Sequence, residues 1–242
     1  MKVFSSIAAC LVSVYVWIAG LILVGIILSV ALLISLVAPP EATDRFLKKA
    51  CRFLLAALFI RVDAEGMGHV VPGRTAVFMA NHVSAFDVPL LEGYIPVSFR
   101  GVEAAEHFSW PLYGWVIRRL GTVPIHRENV RASARSMDRA GSLLTDSRSL
   151  VILPEGGRTK DGRMLPFKRM PFVLAKQAGA DIVPIGLSGL FRLKAKHSWI
   201  IRPTRVKIRF GPPLRVEKTA NWTAEELRDA VRVEIEKLVE RP

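Results

Sequence analysis

Cysteine is scarce in this chain of 242 residues: there are two, Cys10 and Cys51, and both sit in apolar stretches. Two such residues make no disulfide framework and read as small buried hydrophobes in a reducing compartment. Other signals are missing altogether. No Gly-x-Ser-x-Gly elbow is present, no Gly-x-x-x-x-Gly-Lys phosphate loop and no His-Glu-x-x-His pair, which removes the common serine-hydrolase, nucleotide-loop and zinc-protease readings. The five histidines are scattered, so no metal site is expected. Zinc-knuckle spacing, a recognition-helix pattern and an aromatic RNA-binding motif are also lacking, and no nucleic-acid partner is expected. The last absence is local: from Val3 to Pro40 there is no charged residue.

That uncharged run accounts for much of a hydrophobic fraction of 51%. It is far longer than the roughly 7–15 residues of a signal-peptide core, and about 20 apolar residues already cross a bilayer. A membrane-seated helix is expected, either spanning with tilt or bending within one leaflet. Pro39-Pro40 ends it, because proline has no amide hydrogen and its ring clashes with the preceding turn. Ala42-Thr43-Asp44 is a plausible cap for a second helix over Arg45 to Ile60. There Phe46, Leu47, Ala50, Phe53, Leu54, Ala57 and Leu58 recur at helical spacing, with Lys48, Lys49 and Arg52 between them. Such a helix suits a lipid interface; packing into the core of the following domain is the other reading. Positive charge directly after the apolar run places the rest of the chain on the cytoplasmic side of the membrane. The formal net charge of +13 favours an anionic partner, a membrane surface or a polyphosphate.

Beyond this segment, taken as residues 1–62, the pattern over 63–242 predicts one α/β domain. β-type runs at 75–80, 97–102, 121–125, 149–153 and 181–185 alternate with helical stretches at 127–145 and 168–178. The run 206–210 alternates apolar with basic residues and reads as an edge or half-exposed strand. Thr223-Ala224-Glu225-Glu226 is a capping box opening a last helix.

In such sheets, sites gather beyond the carboxyl ends of the strands, and three polar groups sit there. Asn81-His82 and Asp87 follow the first run. On a continuous helix His82 and Asp87 would diverge, so they meet only if strand, turn and helix start lie between them, with Ser84 a possible cap. A carboxylate holding one imidazole nitrogen leaves the other to take a proton. With no serine or cysteine nucleophile, the pair suits a base that activates an incoming hydroxyl. A histidine capping a helix and an aspartate in a surface ion pair is the alternative. The second group is Pro154-Glu155-Gly156-Gly157-Arg158-Thr159, where glycines let backbone amides approach an anion and Arg158 offers a two-pronged donor; a surface hairpin is its alternative. The third is Ile125-His126-Arg127.

In this order the residues resemble the lysophospholipid acyltransferase superfamily, most closely its 1-acyl-glycerol-3-phosphate acyltransferases. The first family motif, Asn-His-x-x-x-x-Asp, is matched by Asn81, His82 and Asp87, and Pro-Glu-Gly-Thr-Arg-Ser by Pro154 to Thr159. A Pro-x-x-Gly-Trp run is matched by Pro111 to Trp115, Pro-Phe-Lys by Pro166-Phe167-Lys168, and a Val-Pro strand by Val183-Pro184. The resemblance implies a single mixed-sheet acyltransferase domain and transfer of an acyl group from acyl-CoA or acyl-carrier protein to a lysophospholipid hydroxyl, with no further cofactor. It implies His82 as general base, Asp87 as its orienting partner, and Arg127, Glu155, Gly156, Gly157, Arg158 and Lys168 as substrate-binding residues. Departures cluster around the acceptor. His126 stands where an acid is usual, Gly157 and Thr159 replace threonine and serine, and Ala105-Glu106-His107 replaces Lys-Glu-Leu. A lysolipid with another headgroup, such as an amino-acid lipid, is therefore an alternative acceptor. A non-catalytic module for anionic membranes and a thioester hydrolase are the competing classes.

Overall fold

The computed structural model describes residues 2–126, 130–145 and 148–240. Helix α1 (Lys2–Val37) is apolar all round, and its segment Ile7–Val37 is long and apolar enough to cross a membrane. The domain takes up a single stripe of it. Ser13, Val16, Ile27 and Ala31 are buried, spaced at three- and four-residue multiples, whereas Leu11, Ile18, Leu21, Ile22 and Leu33 are exposed. Polar groups fix the contact: the Ser13 hydroxyl accepts from Ile201 N at 2.9 Å and Trp17 Nε1 donates to Trp199 O at 2.8 Å.

Helix α2 (Pro40–Ala57) begins earlier than the sequence suggests, with Pro40 at its first position, where the missing amide costs nothing. Thr43 and Asp44 are therefore inside the helix and buried, not capping it. Asp44 pairs with buried Arg100 at 2.9 Å. The apolar face, Leu47, Ala50, Leu54 and Leu55, enters the domain core. Of the basic residues, Lys48 donates to Ile95 O at 2.8 Å and Arg52 to Gly93 O at 2.5 Å. These two side chains meet carbonyls of the domain, so α2 packs into the core along one face, while Lys49, Arg52 and Phe53 remain exposed on the other.

The remaining elements form one mixed sheet in the order β1-β7-β6-β2-β5-β3-β4. Its strands are β1 (Arg61–Glu65), β2 (Ala76–Ala80), β3 (Phe99–Ala104), β4 (Val123–Ile125), β5 (Ser149–Ile152), β6 (Asp181–Ser188) and β7 (Arg205–Phe210). All pairings are parallel except β6 with β7. Between and after them lie α3 (Asp87–Tyr94), α4 (Tyr113–Arg119), α5 (Val130–Thr145), α6 (Met170–Gln177), α7 (Leu190–Leu193), α8 (Val216–Thr219) and α9 (Ala224–Leu238). The capping box of α9 is present as the sequence predicts, with Thr223 and Glu226 bonding reciprocally.

The central strands β2 and β6 are buried at every position, as expected when both faces carry helices. One expectation is corrected at the margin. β7 is not an edge strand, because β1 pairs along its outer side. The alternating burial of β7 remains, since Val206, Ile208 and Phe210 face the core while Arg205, Lys207 and Arg209 face outward.

Glu92 on α3 faces Lys48 of α2 across 4.0 Å. Burial pushes its carboxyl up to about 7, with Asp44 reinforcing the rise and Lys48 and Arg100 opposing it. A raised folded-state value means the folded protein holds this proton more tightly than the unfolded chain. Its contribution is therefore full below the ordinary value of 4.5 and lost as pH rises through about 7. Urea unfolding of the wild type and E92Q on both sides of this window is the check. The wild type should lose stability relative to E92Q as pH rises across it; a constant difference would rule the assignment out.

Candidate active site

Two neighbouring parallel strands build the site. Met79 of β2 pairs with Ile152 of β5, so His82 and Glu155, each three residues further on, leave the sheet side by side. The Asn81 side chain extends the sheet pairing beyond the strand end: its amide donates to Leu187 O at 2.9 Å and its oxygen accepts from Leu187 N at 2.8 Å. The chain then turns and enters α3 at Asp87.

Asp87 is fully buried. Its carboxylate accepts from Val83 N at 2.6 Å, from Ser84 N at 3.0 Å and from His82 Nδ1 at 2.7 Å. Strand, turn and helix start thus bring the His–Asp pair together. Ser84, expected as a possible cap, has no side-chain capping bond to α3. Its hydroxyl donates instead to Lys194 O at 2.9 Å. With Nδ1–H given to Asp87, the Nε2 of His82 is left as acceptor, and the side chain is 15% exposed.

Glu155 does not present its carboxylate outward. It is buried, with one oxygen accepting from His82 N at 2.7 Å and the other from Leu165 N at 2.7 Å. Burial raises its pKa, and these two amide bonds oppose the rise. It braces the His82 turn from below, so the expectation that Glu155 touches substrate becomes a positioning role. Thr159 N donates to His82 O at 3.0 Å and tightens the same junction. Gly156 sits at φ 69°, a left-handed position that glycine occupies without strain. Gly156, Gly157 and Arg158 are at least partly exposed on the loop whose next residue holds the His82 carbonyl. The Lys168 amide closes this loop onto Pro154 O at 2.8 Å, its side chain exposed. Arg127 lies outside the described residues.

A residue the sequence does not single out also borders the site. Lys194 is buried, with burial lowering its pKa and Arg158 adding to the shift. Its ammonium lies 5.8 Å from the ring of Trp17 on α1 and has no carboxylate partner among the described residues. Lys194 and Arg158 together add positive charge around the His82 turn. The signal is invisible in sequence, because Lys194 follows a strand and helix remote from both motifs.

The chain is 31% identical over 175 residues to the 1-acyl-sn-glycerol-3-phosphate acyltransferase of Limnanthes douglasii, covering 72% of this chain and 60% of that protein. It is 32% identical over 179 residues to the alpha form from Ovis aries, covering 72% and 61%. The chain thus spans about 60% of the length of these relatives. The crystal structure of the 1-acyl-sn-glycerophosphate (LPA) acyltransferase PlsC from Thermotoga maritima shares its fold, with a TM-score of 0.83 at 24% identity over 96% of this chain and 95% of that one. Residues 61–188, more than half the chain, match the Acyltransferase family, and the chain belongs to that family.

Proposed function

We propose that this protein acylates the free hydroxyl of 1-acyl-glycerol 3-phosphate at a membrane, giving phosphatidic acid, with acyl-CoA or acyl-carrier protein as donor. The observation that carries the reading is the 2.7 Å bond from His82 Nδ1 to buried Asp87. It fixes the tautomer whose Nε2 can take a proton, near the loop bearing Arg158 and the segment after α7 bearing Lys194. The relatives named above act on this acceptor, and the apolar α1 supports a membrane-seated enzyme.

In this mechanism the acceptor hydroxyl gives its proton to His82 Nε2 as its oxygen attacks the thioester carbonyl. Asp87 stabilises the imidazolium that forms. The tetrahedral intermediate collapses by breaking the carbon–sulfur bond, and the imidazolium protonates the departing thiolate. Ester, free thiol and neutral His82 result. Direct transfer needs no enzyme nucleophile, in keeping with the missing serine elbow. Arg158 and Lys194 neutralise the acceptor phosphate, and the Gly157 amide can approach it, that of Gly156 being held by Leu153 O at 3.1 Å. The catalytic domain working on the cytoplasmic face follows from the charge beyond α1.

The test is thiol release by the full chain in mixed micelles, with both donors and a panel of lysolipids differing in headgroup. H82A should lower kcat about 10³-fold with an unchanged unfolding midpoint; undiminished turnover removes the base assignment. Release without acceptor would indicate a hydrolase, and no release by the wild type a binding module. R158A and K194M should each raise KM for lysophosphatidate about tenfold with a smaller change in kcat. Neither should alter KM for monoacylglycerol, which has no phosphate. Equal effects on both acceptors would assign these residues to folding rather than headgroup recognition.

A further inference from the structure

A second, separate basic cavity opens at the β1/β7 margin of the sheet. It holds about 730 Å³ and is lined by Arg52, Ala56, Phe59, Arg61, Tyr94 and Arg205 among others, with none of the His82 residues in its wall. Arg61 and Arg205 are register partners on adjacent parallel strands, so two guanidinium groups start about 4.8 Å apart at the backbone. Like charges placed opposite one another in a sheet are unfavourable unless an anion sits between them. The other outward pairs on these strands are arranged differently. Glu65 meets Arg209 at 2.8 Å, and Lys207 reaches Glu240 at 2.6 Å. Among the described residues only Asp63, 3.5 Å from Arg205, pairs with a cavity arginine. Arg52 joins them from α2, its guanidinium 5.2 Å from the Tyr94 ring, and Arg61 has no acidic partner among the described residues.

The rim says which anion. Phe59 has φ 58° and is 66% exposed. It occupies the left-handed position of a helix-ending motif, with Phe59 N bonded to Ala56 O at 3.0 Å and Ile60 N to Leu55 O at 2.9 Å. Glycine is the usual occupant there, and a bulky residue at such a φ is an outlier. The ring stands 5.7 Å from Tyr15 of α1, beside the exposed Leu11, Ile18 and Ile22. Three guanidinium groups thus lie at the margin of a lipid-compatible apolar surface, with aromatic rings at the boundary, where a phospholipid headgroup would meet them.

The strand directions relate this cavity to the catalytic loop. β7 runs antiparallel to β6, with Lys207 opposite Ser188, and β6 runs parallel to β2. Arg205 therefore lies at the same end of the sheet as His82, two strand spacings or about 10 Å across it.

We infer that the Arg52–Arg61–Arg205 cavity binds the phosphate of a bilayer phospholipid, separately from the acceptor site, with Phe59 and Tyr15 in the acyl layer. A bilayer seated there holds its surface level with the loop bearing His82. The proposal does not rest on the acyl-transfer reading, since lipid can bind whether or not His82 is the base.

Calorimetric titration of the full chain in uncharged detergent with short-chain phosphatidylglycerol tests it. Wild type should bind, more weakly as salt is raised. R61Q/R205Q should bind about tenfold more weakly, and R61K/R205K should recover most of the loss. R228Q, which removes a surface arginine paired with Asp229 on α9, should leave binding unchanged. Thiol release from a micelle-free short-chain acceptor should stay within about twofold of wild type in the glutamine variant; its loss there would speak against separate sites, whereas failure of wild-type turnover would bear on the acyl-transfer reading alone. Equal lipid binding by wild type and R61Q/R205Q, or salt-independent wild-type binding, would overturn the proposal. So would displacement of the lipid by inorganic phosphate or free CoA at equal concentration, which would assign the cavity to a soluble phosphate compound.

Discussion

Asp87 is a carboxylate with no solvent contact, and N–H groups from three successive residues converge on it. Burying such a group is tolerable only when its acceptor sites are filled, so the turn from Asn81 to Phe86 must adopt the shape that delivers Val83 N, Ser84 N and the His82 ring to it. The geometry of the His82–Asp87 pair and the folding of the turn are therefore one requirement. Glu155 repeats the device from the neighbouring strand, filling its two oxygens with amides of His82 and Leu165. Together the two carboxylates hold the His82 main chain at its amide and its side chain at Nδ1. What is left unconstrained is Nε2.

The apolar helix is tied into the same arrangement. Ser13 and Trp17 of α1 bond to Ile201 and Trp199, and that stretch begins at Lys194, whose carbonyl receives the Ser84 hydroxyl. Trp17 also faces the Lys194 ammonium. One short segment, Lys194 to Ile201, thus links the lipid-compatible helix α1 to the turn around Asp87 through hydrogen bonds at its two ends. A lone tryptophan on a uniformly apolar helix is usually unremarkable; here its indole N–H and its ring are both used by one segment of the catalytic domain.

Much of this was legible in the residues, and the exceptions have physical causes. The buried strands β2, β5 and β6 read clearly because parallel strands covered on both faces are continuous apolar runs, and the capping box of α9 is a local signal. β1 gave no such signal: of Arg61-Val62-Asp63-Ala64-Glu65, three are charged, since an edge strand buries one face and leaves the other wet. With β1 unseen, β7 looked like the margin. The lysine and arginine of α2 suggested lipid because sequence shows charge but not direction, and Lys48 and Arg52 point at carbonyls near the end of α3. Lys194 was out of reach for another reason. Its role depends on two elements that approach only after the sheet has formed, and no spacing in the chain encodes that.

Two carboxylates, Asp87 and Glu155, lie close under a loop that carries the Arg158 guanidinium. The structure separates the charges by depth. Both carboxylates are turned beneath the His82 turn and occupied by N–H donors, whereas Gly156, Gly157 and Arg158 are on the outer loop. Amide dipoles absorb the negative charge from below, and the Arg158 guanidinium stands on the outer side. The same sequence block, Pro154 to Thr159, serves both layers because its chain direction reverses at the left-handed Gly156. A residue with a Cβ there would be strained, and moving Glu155 outward would leave the His82 amide unpaired while adding a negative charge to the outer loop. The glycine thus protects the separation of the charges as much as the shape of the loop.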